Sequence, residues 1–358
     1  MMKCDASSRI LVVGAGPTGM TVALELARRG MVPVVADVRT VYSSLSRAVG
    51  ITPRSLAYLN ACGADKQLIA ESIEPEAMHI YRGSVLDVSL ALHSRNAFHH
   101  TLLFLPQDRT EAILRDRLRA LGGEVVYGRE LVALEGNGPF TAGFACGSKE
   151  EFDIVIGADG VRSAVRQAAG IAFRGYELCQ PWSIADVEAS GWKHPADFTV
   201  SLNRRGISVI VPIGPGRYRL VSNTPDARAA LAIPMTITHV HQEGTFQISV
   251  RQAATYNRGG VFLVGDAAHT SCPVGGRGMN TGIADAATLV ACLAEGRADD
   301  YAKQRMRVGR KVLRETEIAR RVMTGENWAA RLVLQAVLGT ARSFPTLRRR
   351  LGRYGVEF

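Results

Sequence analysis

Three short runs of this 358-residue chain combine residue types at spacings that could do chemistry. The first is GAGPTG at 14–19. There Gly14 permits a tight turn out of a strand, Gly16 lets the backbone approach a diphosphate, and Gly19 lets a helix pack closely on that strand. Pro17 and Thr18 open the helix, whose N-terminus meets phosphate charge. Asp37 follows roughly 20 residues on, where such units accept hydrogen bonds from an adenosine ribose. Arg39, two residues further, belongs to the same candidate cofactor-binding set. The second run, DIVIGADGVRSAVR, places Asp159 and Gly160 at a strand end with Arg162 beside them. The third, GDAAHTSCPVGGRGMNTG, begins with Gly265 and Asp266 and contains a second glycine-rich loop. The first loop alone does not distinguish NAD from FAD. Two glycine loops so far apart either belong to two domains or serve one long ligand.

These residues need elements to position them. Ile10 to Val13 is an unbroken apolar run, as expected of a parallel strand covered on both faces. Met20, Ala23, Leu24 and Ala27 recur at helical spacing, Gly30 stops that helix, and VPVVAD reads as the next strand. The stretch AMHIYRGSVLDVSLAL alternates like a hairpin, and LPQDRTEAILRDRLRALGG returns to an amphipathic helix. A second alternating region runs from about 197 to 250, with turns at Gly206 and at Pro215-Gly216. After Asp285 the period is helical. The expected fold class is α/β: a Rossmann-type domain with an inserted, mainly antiparallel β-sheet domain and C-terminal helices. The expected boundaries are a discontinuous nucleotide domain over 1–76, 101–180 and 251–320, a substrate-binding β domain over 77–100 and 181–250, and a helical region over 321–358.

Composition narrows the classes. A hydrophobic content of 47% supports a large core, and the net charge of +10 is spread along the chain rather than gathered into an arm. That distribution favours anionic small molecules, and no nucleic-acid docking motif is present. The six cysteines, Cys4, Cys62, Cys146, Cys179, Cys272 and Cys292, form no C-x-x-C pair, so neither a zinc site nor a disulfide framework is expected, and a reducing cytoplasm is the expected compartment. No run of about 18 apolar residues predicts a membrane span. His99-His100 and His239-x-His241 lack a partner at ligand spacing, so no metal is expected. The basic tail from Arg342 to Arg353 reads as a solvated helix face.

With the Gly14–Gly19 loop, the Asp159-Gly160 pair and the Gly265-Asp266 pair in this order, the chain resembles the para-hydroxybenzoate hydroxylase-like, single-component (group A) FAD-dependent aromatic monooxygenases. The resemblance implies FAD, which is long enough to need both glycine loops. It implies that Asp266 binds a ribityl hydroxyl, and that backbone N–H groups from Gly275 and Gly276 through Gly278, Met279 and Asn280 face the flavin N1 and C2 carbonyl. A helix beginning near Gly278 would stabilise negative charge on reduced flavin there. By the same resemblance Pro273 lines the ring where substrate approaches, Arg47 reaches the phosphates and ribityl region, Gln107 contacts the cofactor, and Asp159 and Arg162 are tied to both FAD and the nicotinamide cofactor. Asp37 stands where the family more often has glutamate.

The implied reaction uses NAD(P)H and O2 to hydroxylate an aromatic or polyketide-like small molecule through a C4a-hydroperoxyflavin, in a monomer or homodimer. A flavin-dependent halogenase and a flavoprotein reductase or dehydrogenase are the alternatives; the W-x-W-x-I-P signature of the first is missing. His269 invites reading as a catalytic base, but the flavin would carry the oxygen chemistry, leaving the protein to orient and exclude water. The 222–244 segment is shorter than the usual insert, so another element must close the pocket. A stripe of Leu332, Val333, Ala336 and Val337 marks the C-terminal helices as the expected cover.

Overall fold

In the computed structural model the described residues are 4–5, 7–41, 48–92, 102–203 and 206–354. β1 (Ile10–Val13), α1 (Pro17–Ala27) and β2 (Val34–Asp37) form the predicted βαβ unit. A short β3 (Gly50–Ile51) leads to α2 (Pro53–Ala61), capped by Thr52, and to α3 (Asp65–Glu71). The hairpin β4 (Ala77–Arg82) and β5 (Val85–Ala91) follows, and β6 (Leu103–Phe104) pairs back onto β3. α4 (Gln107–Ala120) and β7 (Val125–Tyr127) complete this part of the nucleotide domain. β8 (Leu131–Glu135), β9 (Phe140–Phe144) and β10 (Lys149–Phe152) make a separate three-stranded antiparallel sheet, a feature absent from the sequence expectation.

β11 (Ile154–Gly157) returns to the main sheet and α5 (Ala164–Ala168) follows it. Then come β12 (Phe173–Glu177), β13 (Trp182–Ser190), β14 (Phe198–Asn203), β15 (Gly206–Gly214), β16 (Arg217–Ser222) and β17 (Thr236–Phe246). β18 (Ser249–Ala253), β19 (Asn257–Arg258), β20 (Val261–Leu263) and β21 (His269–Thr270) precede four helices. These are α6 (Arg277–Ala294), α7 (Ala298–Thr324), α8 (Trp328–Ser343) and α9 (Pro345–Tyr354).

The main sheet has the order β19-β20-β11-β1-β2-β7, with β20 through β7 parallel. Its central strands β1, β11 and β20 are buried along their whole length. Leu11, Val12, Val35, Val155, Ile156 and Phe262 are fully buried, and each such side chain stabilises the fold by about 1.5–3 kcal/mol. Register fixes the site: Val13 lies opposite Gly157, and Gly157 opposite Leu263. The three motif loops therefore leave adjacent strands at the same sheet edge.

The second sheet has the order β17-β13-β16-β15-β14-β4-β5. It is antiparallel except where β14 runs parallel to β4, which unites the 77–91 hairpin with strands about a hundred residues later. β17 begins inside the short 222–244 segment, runs two residues past it and pairs along the whole of β13. On this sheet His79 bonds Ser89 and Asp197 through its two ring nitrogens and stacks on His194, whose Nε2 meets Tyr81 Oη at 2.7 Å. His79, His194 and Asp197 are the one three-residue group among the described residues with metal-ligand donors close together, but these donors already bond one another and their neighbours.

The C-terminal helices correct one expectation. Leu334, Leu338, Ala341 and Leu351 pack on Val88 and Leu90, against edge strand β5. The stripe expected to be covered faces outward: Leu332 is 54% exposed, Val333 49% and Val337 36%, and Ala336 is exposed too. The run WAARLVLQAVLG is apolar on more than one side, so period alone cannot choose the buried face. α7 also extends to Thr324, across the boundary expected at 320.

Candidate active site

The site is assembled where β1, β11 and β20 end. Gly14 has φ +101°, and a Cβ there would lie 2.4 Å from the Ala158 carbonyl oxygen; at Gly19 it would lie 1.8 Å from the Gly14 oxygen. These two glycines are required by close packing. Gly16, Gly160, Gly276 and Gly278 differ, because a Cβ at Gly16 would meet only Glu111 at 4.0 Å and at the other three nothing within 4 Å. Their faces are open to a ligand. The two glycine loops also touch: a Cβ on Gly265 or on Gly282 of α6 would approach Thr18 Oγ1 to 2.8 or 2.2 Å.

At the end of β2, Asp37 accepts from Ala15 N–H at 2.7 Å and from Arg39 Nε and Nη2, each at 2.9 Å. Burial opposes its charge, but the bonds from Arg39 and Ala15 outweigh it and hold the carboxyl below its ordinary range. Arg39 also reaches Glu111 at 2.9 Å. Burial pushes Glu111 up despite that partner. Gln107 donates to Glu111 at 2.8 Å, while its own Oε1 and N–H hold the Ala48 N–H and carbonyl. Gln107 thus fixes the backbone next to Arg47, and Arg47 itself lies outside the described residues. Glu111 was not anticipated; a carboxylate four residues after Gln107, on the apolar side of an amphipathic helix, was the available signal.

In the middle loop Asp159 Oδ2 accepts from Val165 N–H at 3.1 Å, while Oδ1 is buried without a partner. Burial raises its pKa against those bonds. Arg162 is exposed beside it. The arginine that joins the loops is Arg166, which donates to Ala267 O at 3.0 Å and to Val161 O at 2.8 Å and lies 3.9 Å over the Phe173 ring.

The late loop stands on a buried network. Asp285 accepts from Gly265 N–H at 3.1 Å, meets His269 Nε2 at 2.6 Å and pairs with Arg305. Burial works against this carboxylate, but His269 and Arg305 keep it ionised. His269 is 3% exposed and stacked on Tyr256, which makes it a support for the loop. Asp266, by contrast, projects outward, and Pro273, Gly275 and Gly276 are exposed. Gly276 starts α6 with φ +63° and no side-chain cap, so the N–H groups of Gly278 and Met279 are presented without a capping side chain. The Asn280 side chain is fully used in bonds to Thr52, Gly50 and Gly276.

This donor set fits an extended dinucleotide. The open glycine faces, the uncapped starts of α1 and α6, and the orphaned buried oxygen of Asp159 lie along one sheet edge. Fold and site together define a flavin-nucleotide protein of the Rossmann type. The profile of the FAD binding domain family matches residues 7–224 and 220–316, and the chain belongs to that family, in its para-hydroxybenzoate hydroxylase-like group of single-component FAD-dependent monooxygenases.

Among its relatives is the uncharacterized aromatic compound monooxygenase YhjG of Bacillus subtilis (strain 168), 30% identical over 381 residues, with 98% of this chain and 74% of that protein covered. The 6-methylpretetramide 4-monooxygenase of Streptomyces rimosus is 29% identical, with 96% and 67% covered. The crystal structure of p-nitrophenol 4-monooxygenase PnpA from Pseudomonas putida DLL-E4 superposes with a TM-score of 0.86 at 23% identity, covering 96% of both chains. No helix among the described residues is long and apolar enough to cross a membrane.

Proposed function

We propose that the chain uses NAD(P)H and O2 to hydroxylate an electron-rich aromatic or polyketide-like molecule. The observation that carries the reading is the meeting of three separated motif loops at one sheet edge, with α6 starting uncapped after the third of them. The relatives that act on 6-methylpretetramide and on pentachlorophenol give the substrate class its direction. In this reading Gly14, Gly16, Pro17, Thr18 and Gly19 hold the diphosphate, Asp37 and Arg39 the ribose, and Asp266 the ribityl chain. Gly275 to Asn280 present N–H groups to the ring, and Pro273 borders the substrate. The chemistry FAD supplies there is hydride acceptance and activation of dioxygen. The protein's part is to orient the partners, hold negative charge at the start of α6 and keep water out.

The test is NAD(P)H oxidation by FAD-loaded enzyme with and without a panel of phenols and polyketide aromatics. Oxidation should be slow alone and rise with a substrate that is recovered hydroxylated. Rapid oxidation indifferent to every compound, with peroxide as the only product, would oppose the reading.

A further inference from the structure

α7 carries a row of cations that the cofactor loops do not use. Arg307, Arg310, Lys311 and Arg314 stand at i, i+3, i+4 and i+7, so they share one helix face. All four are exposed, and with Glu315 they line an open hollow of ≈ 390 Å³. Lys311 reaches Glu315 at 3.8 Å. Among the described residues Arg307, Arg310 and Arg314 have no carboxylate partner. The one acid of the hollow, Glu315, is already paired with Arg277. Arg307 with Lys311, and Arg310 with Arg314, are like charges one turn apart, a placement that weakens a helix.

The opposite face of this segment is pinned. Arg305 pairs with Asp285, Gln252 donates to the Met306 carbonyl at 2.9 Å, and a Cβ on Gly309 would lie 2.4 Å from Tyr256 Oη. A rigid stretch of helix therefore presents the charges. Its location follows from the Glu315–Arg277 bond, because Arg277 is the first residue of α6 and adjoins Gly275 and Gly276. Arg310 lies five residues from Glu315, about 7.5 Å along the helix axis. The chain has one complete G-x-G-x-x-G unit, whose helix start faces the FAD site. A second dinucleotide must find its phosphate contacts on side chains.

We propose that this face of α7 receives the diphosphate of the reduced nicotinamide dinucleotide, with the nicotinamide extending past Arg277 toward the 275–280 loop. The proposal rests on the monooxygenase reading above, which requires such a reductant. Several exposed cations around a polyanion give both attraction from a distance and charge-assisted hydrogen bonds on contact.

The test uses FAD-loaded enzyme carrying Arg310→Ala with Arg314→Ala, beside an Arg349→Ala, Arg350→Ala control that removes the same charge from exposed positions of α9. Binding of the redox-inert NADP+ and NAD+ is measured by calorimetry, and flavin reduction by stopped flow against NADPH and NADH concentration. The α7 variant should raise the dissociation constant and the half-saturating concentration about tenfold, with FAD content and melting temperature kept and the α9 control behaving as the parent. Parent-like affinity in the α7 variant overturns the proposal. So does equal weakening in the α9 control, which would indicate diffuse charge, or a loss confined to binding of phosphatidylglycerol vesicles, which would indicate a membrane-facing surface. A parent enzyme that neither binds nor oxidises either dinucleotide would instead refute the monooxygenase reading itself.

Discussion

A carboxylate shut away from water must find hydrogen bonds and a counter-charge, and Asp285 has the His269 ring nitrogen and the Arg305 guanidinium. Because its folded pKa is depressed, its ionised form adds stability above the unfolded value of about 3.9, and that contribution disappears as pH falls through the lower folded value. Asp285→Asn should destabilise the protein by about 3–5 kcal/mol at neutral pH by leaving Arg305 buried without a counter-charge. Urea unfolding from pH 7 to pH 3 should find the gap to the parent narrowing below about pH 4. A gap that stays constant would mean the charge is not what supports the loop. Asp266 is a different kind of aspartate, exposed and aimed outward from the same loop. Asp266→Ala should weaken FAD binding by about 1.5–3 kcal/mol, the worth of a charge-assisted hydrogen bond. Parent-like FAD retention in that variant would contradict the ribityl role. Asp266 was legible in the sequence because it follows an apolar strand and a glycine. Asp285 was not, since a lone aspartate in GIADAATLV reads as the solvent side of a helix until its tertiary partners are known.

At the scale of elements, the strand runs ILVV, IVIG and VFL were readable because burial on both faces leaves an unbroken apolar signature. The loops that follow them were readable for the same reason. The sheet β8-β9-β10 and the buried face of α8 were not readable, because each depends on a partner surface that local period does not encode. The contact between the two glycine loops is also tertiary, and it makes a direct prediction. Gly282→Ala should drive α6 against Thr18, since the new Cβ would lie 2.2 Å from Oγ1. The variant should lose FAD affinity and be destabilised by about 1–3 kcal/mol, the cost of overpacking, and so melt at lower temperature. Thr18→Ala in the same chain removes that oxygen and leaves the Thr18 Cβ 3.3 Å away, so the pair should recover most of the lost stability. Failure of the second change to restore the melting temperature would mean that the loops do not set each other's position.

For the whole molecule, one sheet positions the nucleotide loops, a second seven-stranded sheet stands beside it, and the C-terminal helices close the free edge of the latter at β5. The α/β class, the inserted sheet and the helical end were all legible as changes of hydrophobic period along the chain. The cover of the reacting centre was not, and the C-terminal stripe of Leu332, Val333 and Val337 faces outward. Labelled dioxygen follows the oxygen atom that this arrangement is built to carry from O2 to an organic substrate. FAD-loaded enzyme, NAD(P)H and a phenolic or polyketide substrate identified by stimulated NAD(P)H oxidation are incubated under heavy-isotope O2, and the product is weighed by mass spectrometry. The product should carry one labelled oxygen atom for each NAD(P)H consumed in coupled turnover. Reduced or dehydrogenated substrate without label, formed equally well in the absence of O2, would contradict it and identify the chain as a hydride-transfer flavoprotein.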